Sequence, residues 1–450
     1  MTQAPDRDGA EHVGGVVRLT MAQALVRYLA AQRNGAGEAL FAGVWAIFGH
    51  GNVAGLGEAL HAVRDVLPTY RAHNEQAMAH AAIAFAKASN RRRMMACTSS
   101  IGPGATNMVT AAALAHVNRL PVLLLPGDVF ASRRPDPVLQ QIEDFADGTV
   151  NANDCFRPVS RYFDRIWRPE QILAALPRAM AVLTDPATAG PVTLALCQDV
   201  QAEAYDWPTA FFAPRRWAVR APRPDRRELE VAARKLTAAE RPLIVAGGGV
   251  HYADACAALA RFAEVHGIPV AETQAGKSAL PAAHPLNLGA IGVTGTAAAN
   301  DAAAQADVVL AIGTRLQDFT TGSRALFRAP GRRIIGLNVQ AFDAAKHGAA
   351  PLLADAGEGL AALDEALAGH RAPAAWTAAA EAGRTAWLAE AAAVTRADDA
   401  GRPSDAQVIG AVQRAVGAEA VVVGAAGGLP GELHKLWQAE AIGGYHMEYG

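Results

Sequence analysis

Short apolar runs of strand length alternate along most of this chain with Ala-rich segments whose apolar positions recur at helical spacing. In residues 19–32, Ala22, Leu25, Val26 and Leu29 fall on one face, which predicts a helix. Residues 41–48 read as a buried strand ending in Gly49-His50-Gly51-Asn52. A helix over 75–89, a strand near 93–98, a Gly-rich turn and another helix follow, then strands over 120–125 and 192–196. From residue 213 the composition turns to Pro, Arg and Trp without periodicity, which places a boundary near 208–225. The alternation then resumes, with helices over 228–237 and 253–266 and strands over 242–246, 268–271, 308–312 and 333–338. Residues 361–400 are Ala-rich and read as a helical connector; a third block begins near 403 with a helix to about 416, a strand over 420–423 and a turn over 424–431. Strands alternating with helices predict α/β domains built on mainly parallel sheets.

Composition sharpens this picture. The chain has 450 residues, 51% of them hydrophobic, enough for about two to four domains with their own cores. Lys+Arg number 41 and Asp+Glu 43, so the net charge of −2 offers no electrostatic reason to expect nucleic acid or an anionic membrane as partner. Cys97, Cys155, Cys197 and Cys256 are far apart with no CxxC pair, which argues against a disulfide scaffold or structural zinc and fits a reducing compartment. Residues 1–15 contain no apolar signal region, and no run approaches the ~20 apolar residues of a membrane span. A cytoplasmic protein is expected.

Three loops carry candidate chemistry. Gly247-Gly248-Gly249 joins a strand to a helix, a setting for phosphate binding. A dinucleotide fingerprint wants a further glycine where Tyr252 stands, so a tight structural turn is the better reading. The stretch from Thr98 to Asn107, with Ser100, Gly102 and Gly104, also joins a strand to a helix and serves equally as a turn or a ligand contact. Gly49-His50-Gly51-Asn52 lies at a strand end, where ligands of open α/β sheets collect, although a lone histidine is more often structural. Glu75, in Asn74-Glu75-Gln76, opens a helix; it is either an ordinary first-turn carboxylate or, if that Ala-rich helix is buried, a functional one.

Together these segments resemble the thiamin-diphosphate-dependent enzymes related to acetohydroxyacid synthase. The resemblance runs through Asn74-Glu75-Gln76, Gly102-Pro103-Gly104 with Asn107, residues 121–127, 242–250 and 267–270, Gly276-Lys277 and Gly313-Thr314-Arg315. Residues 48–52, 135–141, 272–277 and 429–434 are similar to a subgroup of myo-inositol catabolism that opens the ring of a trihydroxycyclohexane-1,2-dione to 5-deoxy-glucuronic acid. The resemblance implies a three-domain parallel-sheet α/β architecture: a pyrimidine-binding domain over 16–207, a central domain over 225–370, a helical connector over 371–402, and the start of a diphosphate-binding domain over 403–450, cut short. It also implies that the Glu75 carboxyl group hydrogen-bonds N1′ of the cofactor's aminopyrimidine and so activates the thiazolium C2. His50, Asn52, Ser100 and Gln140 or Gln141 then line the reaction centre, and Gly427, Gly428 and Leu429 contact the diphosphate.

One departure from the family pattern matters. The Gly-Asp-Gly and later Asn that hold magnesium in the family have no counterpart here, since Gly127-Asp128 is followed by Val129 and lies in the wrong domain. Magnesium is thus implied while its ligands are absent, and residues 1–450 alone are expected to be an inactive or impaired hydrolase. Leu316-Gln317-Asp318-Phe319 departs from the flavin-binding pattern of acetohydroxyacid synthase, so no FAD is expected. The alternatives are a 2-keto-acid carboligase or decarboxylase of that type, and a non-catalytic assembly subunit of the same fold. The expected partners are a small cyclic diketone polyol and further copies of the chain, as a homodimer or homotetramer.

Overall fold

The computed structural model describes residues 12–13, 15–135, 138–142, 144–398 and 401–447. These fall into two compact units, divided between Arg220 and Ala221.

The first unit is built on a six-stranded sheet in the order Thr69–Tyr70, Phe41–Ala46, Met94–Ser99, Val122–Asp128, Pro191–Cys197, Tyr162–Ile166. Every neighbouring pair is parallel. Met94–Ser99, Val122–Asp128 and Pro191–Cys197 are buried at every position, as expected of parallel strands covered on both faces. Helix Met21–Ala31 starts at a capping box between Thr20 and Gln23 and buries Leu25, Val26 and Leu29. Chain order reverses between Phe41–Ala46 and Met94–Ser99, which makes the carboxyl ends of these two strands the switch point where such sheets bind ligands.

The division falls within the expected boundary at 208–225, and the chain leading up to it is tied onto this unit. Ala204–Pro208 pairs antiparallel with Val16–Thr20, and Trp207, fully buried, donates its indole N–H to the Leu19 carbonyl at 2.9 Å. Arg216–Trp217 pairs with Arg33–Asn34, and Trp217 donates to Gln32 Oε1 at 2.9 Å. Large aromatic rings bury enough area to tie down an irregular segment whose sequence has no period.

The second unit repeats the α/β plan in the order Asn287–Ala290, Val270–Glu272, Pro242–Ala246, Val308–Ile312, Arg333–Asn338, Ala350–Leu353, again all parallel. At its switch point the triple glycine packs against Gly313. Gly247 N–H donates to Ile312 O at 2.8 Å, Gly249 N–H to Gly313 O at 3.0 Å and Val250 N–H to Gly247 O at 3.0 Å. These donors are spent on the fold, so this is a tight strand-to-helix turn. The helix expected over 253–266 is found as Cys256–His266; a separate short helix, Gly248–Tyr252, precedes it, and between the two Asp254 takes φ +57. Helix Ala374–Val394, in the Ala-rich stretch, is packed on this unit, with Trp376 Nε1 donating to Pro242 O at 2.8 Å. Helix Asp405–Ala415, the strand Val422–Gly424 and helix Gly428–Leu436 follow, and Val422–Gly424 pairs in parallel with Tyr445–Met447. Residues 448–450, the end of the third block, lie outside the described residues. Among the described residues, no helix is long and apolar enough to cross a membrane.

Candidate active site

Glu75 is the first residue of helix Glu75–Ala88, whose N-cap Asn74 accepts the Ala77 N–H at 2.7 Å. This puts a carboxylate where the helix dipole favours it. The helix buries Met78, Ala79, Ala82, Ile83 and Ala86 but leaves Ala77 exposed, so its start is open and Glu75 only half-buried. The expectation of a buried helix holds for one face only, because its alanines are distributed round the whole cylinder. Asn107 Nδ2 donates to Glu75 Oε2 at 2.9 Å. The other oxygen lies against Gly104, where a Cβ would come within 3.2 Å of Oε1. One oxygen is therefore fixed, and the absence of a side chain at residue 104 keeps space beside its partner. An acceptor so presented fits the N1′ edge of an aminopyrimidine.

The loops beyond the switch-point strands close on one another through glycine. A Cβ on Gly49 would lie 2.6 Å from Ser100 Oγ, one on Gly51 2.8 Å from Ile101 N, and one on Gly127 2.6 Å from Gly51 O. Gly102 adopts φ +67 and is pressed by the Gln140 carbonyl, which brings the 138–142 turn onto the 100–104 turn. Gln140 is exposed and Gln141 half-buried. In the 135–141 motif, Asp136 and Pro137 lie outside the described residues. Ser100 accepts the Gly51 N–H at 3.3 Å.

Asn52 is 1% exposed and its amide is engaged within the fold. It accepts from Gly49 N at 3.0 Å and donates to Ile47 O and Thr98 Oγ1, both at 3.1 Å. His50 Nδ1 lies 3.3 Å from Gln198 Oε1, and its buried Nε2 has no hydrogen-bond partner. Gln201 donates to Gly51 O at 2.7 Å and to Leu196 O at 3.2 Å. Sequence reasoning missed Gln198 and Gln201. Their one signal is position, since polar residues just after a largely apolar strand sit at its carboxyl end.

In the second unit, Gly427 takes φ +144, a conformation that favours glycine, and leads into helix Gly428–Leu436; Gly427, Gly428 and Leu429 are all exposed. Backbone N–H groups at the start of this nine-residue helix suit a phosphate. Among the described residues, no group of three or more His, Cys, Asp or Glu is placed to hold a metal ion. The described residues thus offer a carboxylate acceptor that suits an aminopyrimidine and helix-start N–H groups that suit a diphosphate.

The helix carrying this turn is anchored by His434, 1% exposed, whose Nδ1 is 2.8 Å from Thr294 Oγ1. Nearby, Lys277 stands 5.5 Å over the Tyr445 ring, and burial pulls its ammonium down to about 8 against the opposing pull of Glu272. Burial, and then the Lys277 charge, hold His434 well below the ordinary 6.5. The unfolded chain therefore takes up this proton more readily than the folded one. The resulting stability is complete above about pH 6.5 and is lost as pH falls toward the depressed value. The midpoint of thermal unfolding is expected to fall as the pH drops below about 6.5, and His434→Gln to flatten that slope. An equal slope in the variant would remove His434 as its source.

Comparison with known proteins fits this geometry. Residues 39–147 match the family profile "Thiamine pyrophosphate enzyme, N-terminal TPP binding domain", and residues 229–363 match "Thiamine pyrophosphate enzyme, central domain". The chain is 47% identical to a 3D-(3,5/4)-trihydroxycyclohexane-1,2-dione hydrolase of Geobacillus thermodenitrificans (strain NG80-2), over 96% of this chain and 71% of that protein. It is 44% identical to proteins of the same name from Bacillus cereus and Clostridium perfringens, each over 96% of this chain and 72% of theirs. With the Glu75 helix start and the glycine-closed loops at the switch point of a parallel sheet, these matches show that the chain belongs to the thiamine pyrophosphate enzyme family.

Proposed function

We propose that this protein is a hydrolase acting on C–C bonds in ketones, which opens the ring of a trihydroxycyclohexane-1,2-dione to 5-deoxy-glucuronic acid with thiamin diphosphate and magnesium. The observation that carries this reading is Glu75, a carboxylate at an open helix start with one oxygen fixed by Asn107 and the other beside Gly104. The shared identity with dione hydrolases over nearly the whole chain supports the choice of substrate. When bound, the cofactor supplies the carbanion chemistry that breaks a bond next to a carbonyl. Glu75 holds a hydrogen bond to the aminopyrimidine N1′, and Asn107 keeps the carboxylate turned toward it. Ser100, having accepted the Gly51 N–H, has its own hydroxyl proton to give to a substrate oxygen. His50, Gln140 and Gln141 orient the polyol, while Asn52, its amide engaged, holds the turn that presents His50. Gly427, Gly428 and Leu429 hold the diphosphate. The protein works in the cytoplasm as a homodimer or homotetramer, which brings the pyrimidine-binding and diphosphate-binding parts of neighbouring copies together.

Residues 1–450 alone are expected to bind thiamin diphosphate weakly and almost independently of magnesium, because burying the diphosphate charge without a cation is costly. Calorimetric titration with and without magnesium checks this; tight, magnesium-dependent binding with turnover would place a metal site within these residues. In a form that also carries the metal ligands, dione hydrolysis is expected. Carboligation of a 2-keto acid in its place would overturn the substrate assignment.

A further inference from the structure

Where the sheet of the first unit reverses order, one imidazole is held from the side and left unpaired at its tip. His50 sits in the turn after Phe41–Ala46, and Gln198 directly follows Pro191–Cys197. Two residues distant in sequence are thus brought together by the strand ends. His50 Nδ1 is 3.3 Å from Gln198 Oε1; an amide oxygen only accepts, so this contact is a hydrogen bond when the neutral ring carries its proton on Nδ1, which leaves the lone pair on Nε2. That Nε2 is buried without a partner. A buried acceptor left without a donor is unfavourable, so such an atom in a ligand-binding loop marks a place where a donor is expected to arrive.

The surroundings keep the ring in place. Gly49 and Asn52, on either side, are joined by the Gly49 N–H bond to Asn52 Oδ1 at 3.0 Å, and Asn52 is tied to Thr98 on the next strand. Gly51 is held from both faces, by its N–H to Ser100 Oγ and by its carbonyl to Gln201 Nε2. Gln198 itself is anchored by its N–H to Val129 O at 3.3 Å. The backbone around His50 is therefore fixed independently of Gln198, whose side chain is left with the ring.

We propose that Gln198 is a positioning residue that fixes His50 as the Nδ1–H tautomer and keeps Nε2 as the acceptor for a hydroxyl proton of the bound diketone polyol. The second half of this statement rests on the proposed dione hydrolysis; the first does not. A carbonyl acceptor on one ring nitrogen is a common way of setting what the other can do. The neutral amide does this without adding charge beside the substrate.

The test separates the two halves. Nitrogen-15 labelled histidine in the 450-residue protein, with the His50 signals identified by their loss in His50→Gln, reports which ring nitrogen carries the proton. The expected result is the Nδ1–H form, its replacement by a mixture or by the Nε2–H form in Gln198→Leu, and its return in Gln198→Glu, which restores an oxygen acceptor. An Nε2–H ring in the unsubstituted protein, or an unchanged tautomer in Gln198→Leu, overturns the positioning role whatever the protein's activity. In the metal-ligating form, Gln198→Leu is expected to lower kcat for the dione about 10–100-fold with little change in KM, the mark of a group acting in the reaction more than in binding. Unchanged kcat with the tautomer altered would remove Nε2 from the reaction.

Discussion

Glu75→Gln is expected to lower turnover of the dione by about 10²–10⁴-fold while leaving KM and the melting temperature nearly unchanged. The substitution keeps the size of the side chain, and the amide oxygen can still accept from Asn107, now at 2.9 Å from the carboxylate. The N-cap bond from Ala77 to Asn74 does not involve residue 75. What the amide cannot do is share an ionisable proton with the aminopyrimidine. Steady-state kinetics in a form carrying the metal ligands, set beside a thermal melt, measures both. Near-normal turnover would remove Glu75 from the mechanism.

Arg165→Met is expected to cost about 3–5 kcal/mol of folding stability, since it strands a buried carboxylate. Arg165 Nε donates to Asp128 Oδ2 at 2.7 Å, with side chains 5% and 1% exposed. Burial pushes the Asp128 carboxyl up and Arg165 is the first group opposing it. The same guanidinium reaches Asn151 Oδ1 at 2.9 Å and Asp154 Oδ1 at 3.2 Å, so it joins the carboxyl end of Val122–Asp128 to the start of the 3-10 helix Ala152–Val159. Adding Asp128→Asn removes the stranded charge and is expected to recover part of the loss. Urea unfolding of both variants measures this. A loss below about 1 kcal/mol for Arg165→Met, the size of an exposed pair, would show that the interior tolerates the lone carboxylate.

The strands that could be read from sequence are those buried on both faces. Pro242–Ala246, Val308–Ile312 and Arg333–Asn338 coincide with the apolar runs that predict them. Tyr162–Ile166 has no such run, because Asp164 and Arg165 interrupt it, and Arg165 is buried against a carboxylate 37 residues earlier. Val16–Thr20 and Ala204–Pro208 define each other across 188 residues, beyond any local pattern. The site divides in the same way. Glu75 and the glycine turns announce themselves through helix-start and loop chemistry, which is local. Gln198 and Gln201 act on the 50–51 turn from 148 and 150 residues away, and their role appears only once the strand ends meet.

The central claim, that the Glu75 carboxylate activates an aminopyrimidine held at the switch point of the first sheet, has one direct measurement. Quenched-flow NMR of the exchange of the cofactor's C2 proton for deuterium isolates this step from substrate binding and product release. With the metal-ligating form of the protein, exchange is expected to be about 10²–10⁴-fold faster than in the Glu75→Gln variant bound to the same cofactor. Equal exchange rates in the two proteins, with the cofactor bound to both, would contradict it.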